Sequence, residues 1–153
     1  MIEHRPDKLE DELCFAIYSA QKRYSKFYSE SLKPFELTYS QYITLLVLWE
    51  EKRPLLVKEV GERLGLDTGT LTPMLRRMEK KGWLTRSQGQ DDGRRVYIEL
   101  TPKGLDAETP IKDAVESCFS HVNMNEEEYK QSVAKISQIA EFLEANNRLL
   151  SQR

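Results

Sequence analysis

The chain has 153 residues, 39% of them hydrophobic and 31% charged, with a formal net charge of −2, which is apolar material for one domain of ordinary size under a heavily solvated surface. No apolar run approaches the roughly 20 residues of a membrane span, and the polar, mixed-charge stretch Met1–Asp11 is not a signal peptide, so the chain reads as cytoplasmic with no membrane partner. Cys14 and Cys118 lie about a hundred positions apart, and His4 and His121 are the only histidines; this excludes a structural zinc site, which needs about four clustered N or S ligands, and a reducing cytoplasm disfavours a permanent disulfide.

From Leu9 to Leu32 apolar residues recur at helical spacing (Leu9, Leu13, Ala16/Ile17, Ala20, Tyr24, Phe27/Tyr28), which predicts a long amphipathic helix ending near Ser31, before Pro34. Thr38 to Gln41 has the form of a capping box. The run Tyr42–Trp49, apolar nearly all round, predicts a buried central helix. Pro54 and Leu55-Leu56 read as a connector. Val57–Leu64 reads as a short helix ended by Gly65, a residue suited to a left-handed cap. Asp67 is the N-cap candidate of the next helix, which carries Leu71, Met74/Leu75 and Met78 on one face and stops at Gly82. Pro73 fits best in a first turn, which moves the predicted start of regular helix to Gly69 or Thr70. Trp83–Ser87 and Val96–Thr101 alternate partially around the polar tip Gly89–Gly93 and predict a β-hairpin. Thr101-Pro102 opens a helix running through Ile111, Val115, Cys118/Phe119 and Val122. Asn125–Glu128 starts the last helix, with Tyr129, Val133, Ile136, Ile139/Ala140 and Leu143 on one face.

The predicted order is four helices, a hairpin and two helices. A short helix pair joined by a tight turn at Gly65-Leu66 and followed by a hairpin is a winged helix-turn-helix, so the fold class is mainly α with a small β-hairpin wing. The outer helices keep apolar stripes that one small domain cannot cover, and a two-fold homodimer would bury them. The expected organisation is a single domain over 1–153, with dimerisation helices at about 7–32 and 102–151 and the winged helix-turn-helix at about 38–101.

Charge is unevenly placed. Between Lys58 and Val96 nine Lys or Arg stand against six Asp or Glu, a surplus of +3 that leaves −5 to the rest of the chain. Such asymmetry directs a locally positive element at a polyanion. The helix over Gly69–Lys81 has a polar face built from Thr68, Thr70, Thr72, Arg76 and Arg77, with Pro73 and Arg86 assigned to the same surface. Hydroxyls and arginines near a helix N-terminus suit major-groove reading. An ordinary surface helix could carry similar residues; the wing that follows favours duplex DNA. The tip Asp91-Asp92-Gly93-Arg94-Arg95 reads either as a solvated turn or as an aspartate, Asp92, orienting Arg94 into a narrow minor groove with Arg95 beside it.

The segment Asp67-Thr68-Gly69-Thr70-Leu71-Thr72-Pro73-Met74-Leu75-Arg76-Arg77-Met78-Glu79-Lys80-Lys81-Gly82 resembles the recognition helix of the MarR family. Asp92-Gly93-Arg94 and Ile98-Glu99-Leu100-Thr101-Pro102-Lys103-Gly104 resemble that family's wing and its exit, and the similarity covers essentially the whole chain. The first nine of those residues are similar to the branch that senses organic hydroperoxides and related oxidants. The resemblance implies a MarR-type dimer without cofactor or metal, a pseudo-palindromic double-stranded DNA operator as partner, and a transcriptional repressor rather than an enzyme. It implies a redox-sensing cysteine in the first helix, matched by Cys14 in Leu13-Cys14-Phe15-Ala16-Ile17-Tyr18, with an organic hydroperoxide or other oxidant as effector. Tyr28 and Tyr39 match the tyrosines that reach this cysteine across the dimer interface, where hydroxyl donors stabilise a thiolate. A sulfenic acid formed there can condense with a second thiol, either Cys118 of the other subunit or a small thiol. Three alternatives stay open at this point. Cys14 could be an inert buried thiol in a repressor that answers to a small phenolic ligand, Cys118 could be core packing, or, in a different class, the chain could be a thiol peroxidase, which explains Cys14 but not the wing.

Overall fold

The computed structural model describes residues 4–89 and 95–150, which group into two compact units, Met1–Cys118 and Phe119–Arg153. The first unit holds a 3-10 turn at Leu9–Asp11, then α1 (Leu13–Leu32), a second 3-10 turn at Lys33–Phe35, α2 (Tyr39–Glu51), β1 (Leu55–Leu56), α3 (Val57–Leu64), α4 (Thr68–Lys80), β2 (Leu84–Gln88), β3 (Val96–Leu100), α5 (Pro102–Asp106) and α6 (Glu108–Phe119), whose last residue opens the second unit. The second unit is built on α7 (Glu126–Leu150), started by a reciprocal pair of hydrogen bonds between Asn125 and Glu128.

The core of the first unit forms around α2. Leu45, Leu48 and Trp49 of α2 are buried along with Val60, Leu71, Leu75, Met78, Ile98 and Ile111. The helix starts as the sequence predicts: Gln41 N–H donates to Thr38 Oγ1 at 3.3 Å and Thr38 N–H donates to Gln41 Oε1 at 3.0 Å. The two helices of the helix-turn-helix end alike. Past α3, Gly65 takes φ +64° and Leu66 N–H donates to Gly61 O; past α4, Gly82 takes φ +76° and Trp83 N–H donates to Met78 O. Left-handed residues with these six-to-one bonds satisfy the last carbonyls and turn the chain sharply, and glycine enters that region without strain.

Four details depart from the sequence reading. The predicted long first helix is regular only from Leu13, behind the 3-10 turn. Leu55-Leu56 is a strand rather than a connector. It pairs antiparallel with β3, Leu55 opposite Ile98, in a sheet of order β1-β3-β2, and two residues are too short to show alternation. Regular helix in α4 begins at Thr68 with Pro73 inside it; the carbonyl robbed of a donor by Pro73 belongs to Gly69, close to the helix start and without a side chain to crowd the ring. The helix after the hairpin breaks at Ala107 and stops at Phe119, short of Val122. Pro110 has no N–H for the Asp106 carbonyl, and that gap separates α5 from α6.

The exit of the wing is clamped onto the core. Thr101 Oγ1 donates to Gly82 O at 2.6 Å and accepts the Gly104 N–H at 3.1 Å. Trp49 Nε1 donates to Gly104 O at 2.8 Å. Lys103 lies over the Trp83 ring, 4.3 Å from its centroid, and donates to Lys81 O. A Cβ on Gly104 would stand 2.2 Å from the Trp83 carbonyl oxygen and 3.0 Å from Leu100 Cδ2, so the strand and α5 can meet this closely only at glycine.

The start of α4 depends on Asp67. Its Oδ1 accepts the Thr70 backbone N–H at 2.9 Å and its Oδ2 the Thr70 hydroxyl at 2.8 Å. The backbone bond first, and the hydroxyl second, hold this carboxyl below the ordinary aspartate range.

Two predictions follow from these contacts. Gly104→Ala should destabilise the chain by about 1–3 kcal/mol through overpacking, read as a lower urea midpoint; an unchanged midpoint would mean that the Trp83 carbonyl yields freely. The Asp67 cap is fully present above about pH 4 and is lost as pH falls through the lowered value. Asp67→Ala should therefore melt below wild type at neutral pH, and the gap in Tm should close in acid. A gap independent of pH would show that the charge plays no part.

Candidate functional site

Burial of Leu71, Met74, Leu75 and Met78, spaced three and four apart, fixes how α4 sits. At 3.6 residues per turn the opposite side falls to Gly69, Pro73, Arg76, Arg77 and Lys80, all exposed. Thr68 and Thr70 are exposed on the first turn and Thr72 is half-buried. Thr70, Pro73 and Arg77 form one row along this face, and Gly69, Thr72 and Arg76 the adjacent one. The sequence-predicted residues of α4 are thus brought onto one surface.

The cations around this face fall into two groups. Outside α4, Arg63 is held by Glu50 at 2.7 Å and Glu51 at 3.1 Å, Arg53 by Glu59 at 3.1 Å, and Lys81, just past the helix end, by the Glu36 carbonyl at 2.8 Å. Glu59 also accepts the Leu56 N–H, and that bond, ahead of the Arg53 guanidinium, holds its carboxyl below the usual glutamate range. On the face itself Arg76, Arg77 and Lys80 pair with no carboxylate among the described residues, nor does the exposed Arg95 at the end of the wing. The positive surplus in the sequence therefore resolves into cations neutralised outside α4 and exposed, unpaired ones on its face and at Arg95.

Arg86 is placed differently. Its side chain is only 20% exposed and its Nη1 lies 3.7 Å from Glu79 Oε2. Its backbone N–H donates to Glu79 Oε1 at 3.0 Å, and its buried Nε has no hydrogen-bond partner among the described residues. Arg86 thus ties β2 to α4. Asp92 and Arg94 lie outside the described residues. Gly89 N–H, donating to Arg95 O at 2.8 Å, closes the hairpin on its described side.

The thiols and tyrosines form a second constellation. Cys14, in the first turn of α1, is exposed and not packed in the core as an inert buried thiol would be. Tyr28 lies on the same helix 14 residues on, roughly 21 Å along its axis, so Cys14 and Tyr28 of one chain do not meet. Tyr28 packs against Tyr39 at 4.9 Å and Tyr42 at 5.6 Å between ring centroids, flanked by Tyr24 and Phe27. Half-buried Cys118 meets a residue that sequence reasoning missed: the Ser31 hydroxyl stands 2.8 Å from its Sγ. Only the packing of α6 against the C-terminal end of α1 reveals that pair. Among the described residues no group of three or more His, Cys, Asp or Glu could hold a metal ion, and no helix is long and apolar enough to cross a membrane.

The family model of the transcriptional regulator SarA/Rot matches residues 26–108. The HTH-type transcriptional regulator SarZ of Staphylococcus saprophyticus is 41% identical over 127 residues, covering 83% of this chain and 86% of that protein. The organic hydroperoxide resistance transcriptional regulator of Bacillus subtilis is 39% identical over 140 residues, covering 92% and 95%. The solved structure of reduced AbfR bound to DNA, a protein of Staphylococcus epidermidis, superposes with a TM-score of 0.76 at 37% identity, covering 88% of this chain and 94% of that one. The matching family and both curated relatives are named transcriptional regulators, which stands against the thiol peroxidase alternative. The chain belongs to the SarA/Rot family of transcriptional regulators, winged-helix proteins of the MarR type, and stands within it beside the regulators of organic hydroperoxide resistance.

Proposed function

We propose that the chain is a cytoplasmic, redox-sensing repressor. As a reduced two-fold homodimer it binds a pseudo-palindromic duplex operator through paired α4 faces, and it releases that operator when an organic hydroperoxide oxidises Cys14. The observation that carries the DNA reading is the exposed α4 face, on which Arg76 and Arg77 stand clear of every carboxylate described. Two such helices, related by a two-fold axis and about 34 Å apart, would enter successive major grooves. Thr68, Thr70, Thr72, Pro73, Arg76 and Arg77 then face base edges and phosphates, with Arg95 and, on the sequence resemblance alone, Asp92 and Arg94 at the flanking minor groove. Arg86 serves by fixing the wing to α4. AbfR has been solved reduced and bound to DNA, and also as a disulfide-formed protein, which supports a redox-governed reading here.

The dimer supplies what one chain lacks. Leu9, Leu13, Tyr18 and Tyr24 are exposed in the first unit, and Val133, Ile136, Phe142 and Leu143 in the second; helices 7–32 and 102–151 would bury them in a partner copy. Cys14 and Tyr28 are symmetric about Gln21. Antiparallel crossing of two α1 helices near that residue would seat each Cys14 against Tyr28 and Tyr39 of the partner subunit. Their hydroxyls would stabilise the thiolate that attacks the terminal oxygen of the hydroperoxide. The O–O bond breaks, the alcohol leaves with a proton, and Cys14 becomes a sulfenic acid. Condensation with the Cys118 thiol of the other subunit would expel water and close a disulfide. The shift need not be large, since a hundredfold loss of affinity is about 2.7 kcal/mol.

Operator shift assays run beside non-reducing gels test this reading. Wild type should leave DNA as cumene hydroperoxide is added, with a covalent dimer appearing in parallel, while Cys14→Ser should stay bound. Release of Cys14→Ser at the same peroxide concentration would contradict the Cys14 sensor reading and leave a repressor with an inert Cys14. Arg94→Ala should weaken binding and reduce the slope of log affinity against log salt by about one; an unchanged slope would remove Arg94 from the interface.

A further inference from the structure

The three threonines of the α4 face do not offer DNA the same chemistry. Thr70 Oγ1 lies 2.8 Å from Asp67 Oδ2, while the Thr70 backbone N–H donates to the other oxygen of the same carboxylate. An ionised carboxylate only accepts hydrogen bonds, and these two donors favour the ionised form. The proton in the 2.8 Å contact therefore belongs to the threonine. A hydroxyl has a single proton, so the exposed part of Thr70 consists of a methyl group and oxygen lone pairs. Thr68 and Thr72 have no such partner among the described residues and can either donate or accept.

In the major groove adenine and cytosine present an amino donor, thymine presents a methyl group beside O4, and guanine presents only the acceptors N7 and O6. A methyl and a lone pair meet an amino group or a thymine methyl favourably. Against guanine they set lone pair against lone pair. We infer that Asp67, without touching DNA, makes Thr70 an acceptor-only reader, so that the base facing Thr70 in each half-site is adenine, cytosine or thymine and guanine is rejected. This rests on α4 being the DNA-reading helix, and it adds a specificity-determining pair to that reading.

Asp67→Asn isolates the effect. Asparagine caps a helix as well as aspartate does, and its Oδ1 still accepts the Thr70 N–H. Its amide nitrogen then occupies the place of Oδ2, donates to Thr70 Oγ1, and turns the hydroxyl proton outward, where guanine can accept it.

The test uses the full-length reduced protein to select bound duplexes from a random-sequence pool, with wild type, Asp67→Asn and Thr70→Val in parallel. Wild type should yield a palindromic motif in which guanine is depleted roughly tenfold at one symmetric position. Asp67→Asn should admit guanine at that position alone, and circular dichroism should show it as helical as wild type. Thr70→Val keeps the methyl shape without the oxygen; it should lose selectivity for adenine or cytosine there and keep any for thymine. A motif that Asp67→Asn leaves unchanged at every position, or relaxes at all positions together, overturns the inference while leaving the DNA reading intact. Failure of wild type to enrich any motif overturns the DNA reading and this inference with it.

Discussion

The burial of one side of α4 sets what the molecule can present to a partner. Leu71, Leu75 and Met78 are fully buried and Met74 nearly so, and each such side chain contributes on the order of 1.5–3 kcal/mol when removed from water. Rotating the helix to present any other face would expose several of them together. The orientation of Thr70, Pro73, Arg76 and Arg77 is thus a consequence of core packing rather than of the polar residues themselves. The ends of the helix are fixed as firmly, by the Asp67 cap at one end and by Gly82 and the Thr101 hydroxyl at the other. A reading surface held by the core needs little ordering when it binds, which favours affinity.

Electrostatics follow the same division. A chain with net charge −2 can carry a positive reading surface only if its cations are sorted. Here ion pairs and carbonyl bonds absorb Arg53, Arg63, Lys81 and Lys103 outside α4. Surface pairs of this kind add little stability individually; around this helix their larger effect is to leave Arg76, Arg77, Lys80 and Arg95 uncompensated. The redox constellation is separate from this surface in the chain. Cys14 and Tyr28 stand most of a helix length apart, and Ser31 connects α1 to Cys118, so in the proposed function a chemical change at Cys14 would act first on α1 and α6. In the proposed function, coupling of the two constellations would run through the dimer, by altering the separation of its two α4 helices.

Much of this was legible in the sequence because its signals are local. Spacing of three and four exposed the α4 core row, the Thr38/Gln41 capping box and Gly65 marked helix ends, and Asp67 was readable as an N-cap. Features that failed to show share a different cause. β1 is defined by a partner more than forty residues away in the chain, the Ser31–Cys118 contact by packing of two distant helices, and the withdrawal of Arg86 by a carboxylate on another element. The break at Ala107 was legible in principle, since Pro110 removes a donor at a fixed offset. Tyr28 and Tyr39 were singled out by family resemblance as partners of Cys14, and their packing against each other was not legible, as no spacing rule links α1 to α2. The asymmetry among the three threonines could not be read from composition, because it depends on which atom holds a proton.

The proposition that the exposed face of α4 grips duplex DNA is tested most directly by removing its two uncompensated arginines. Arg76→Ala/Arg77→Ala touches only exposed side chains, so its Tm should match wild type. Fluorescence anisotropy at fixed salt, on a duplex carrying the selected operator, should show affinity lower by roughly a hundredfold or more. Wild-type affinity in the doubly substituted protein would contradict a DNA-binding role for this face.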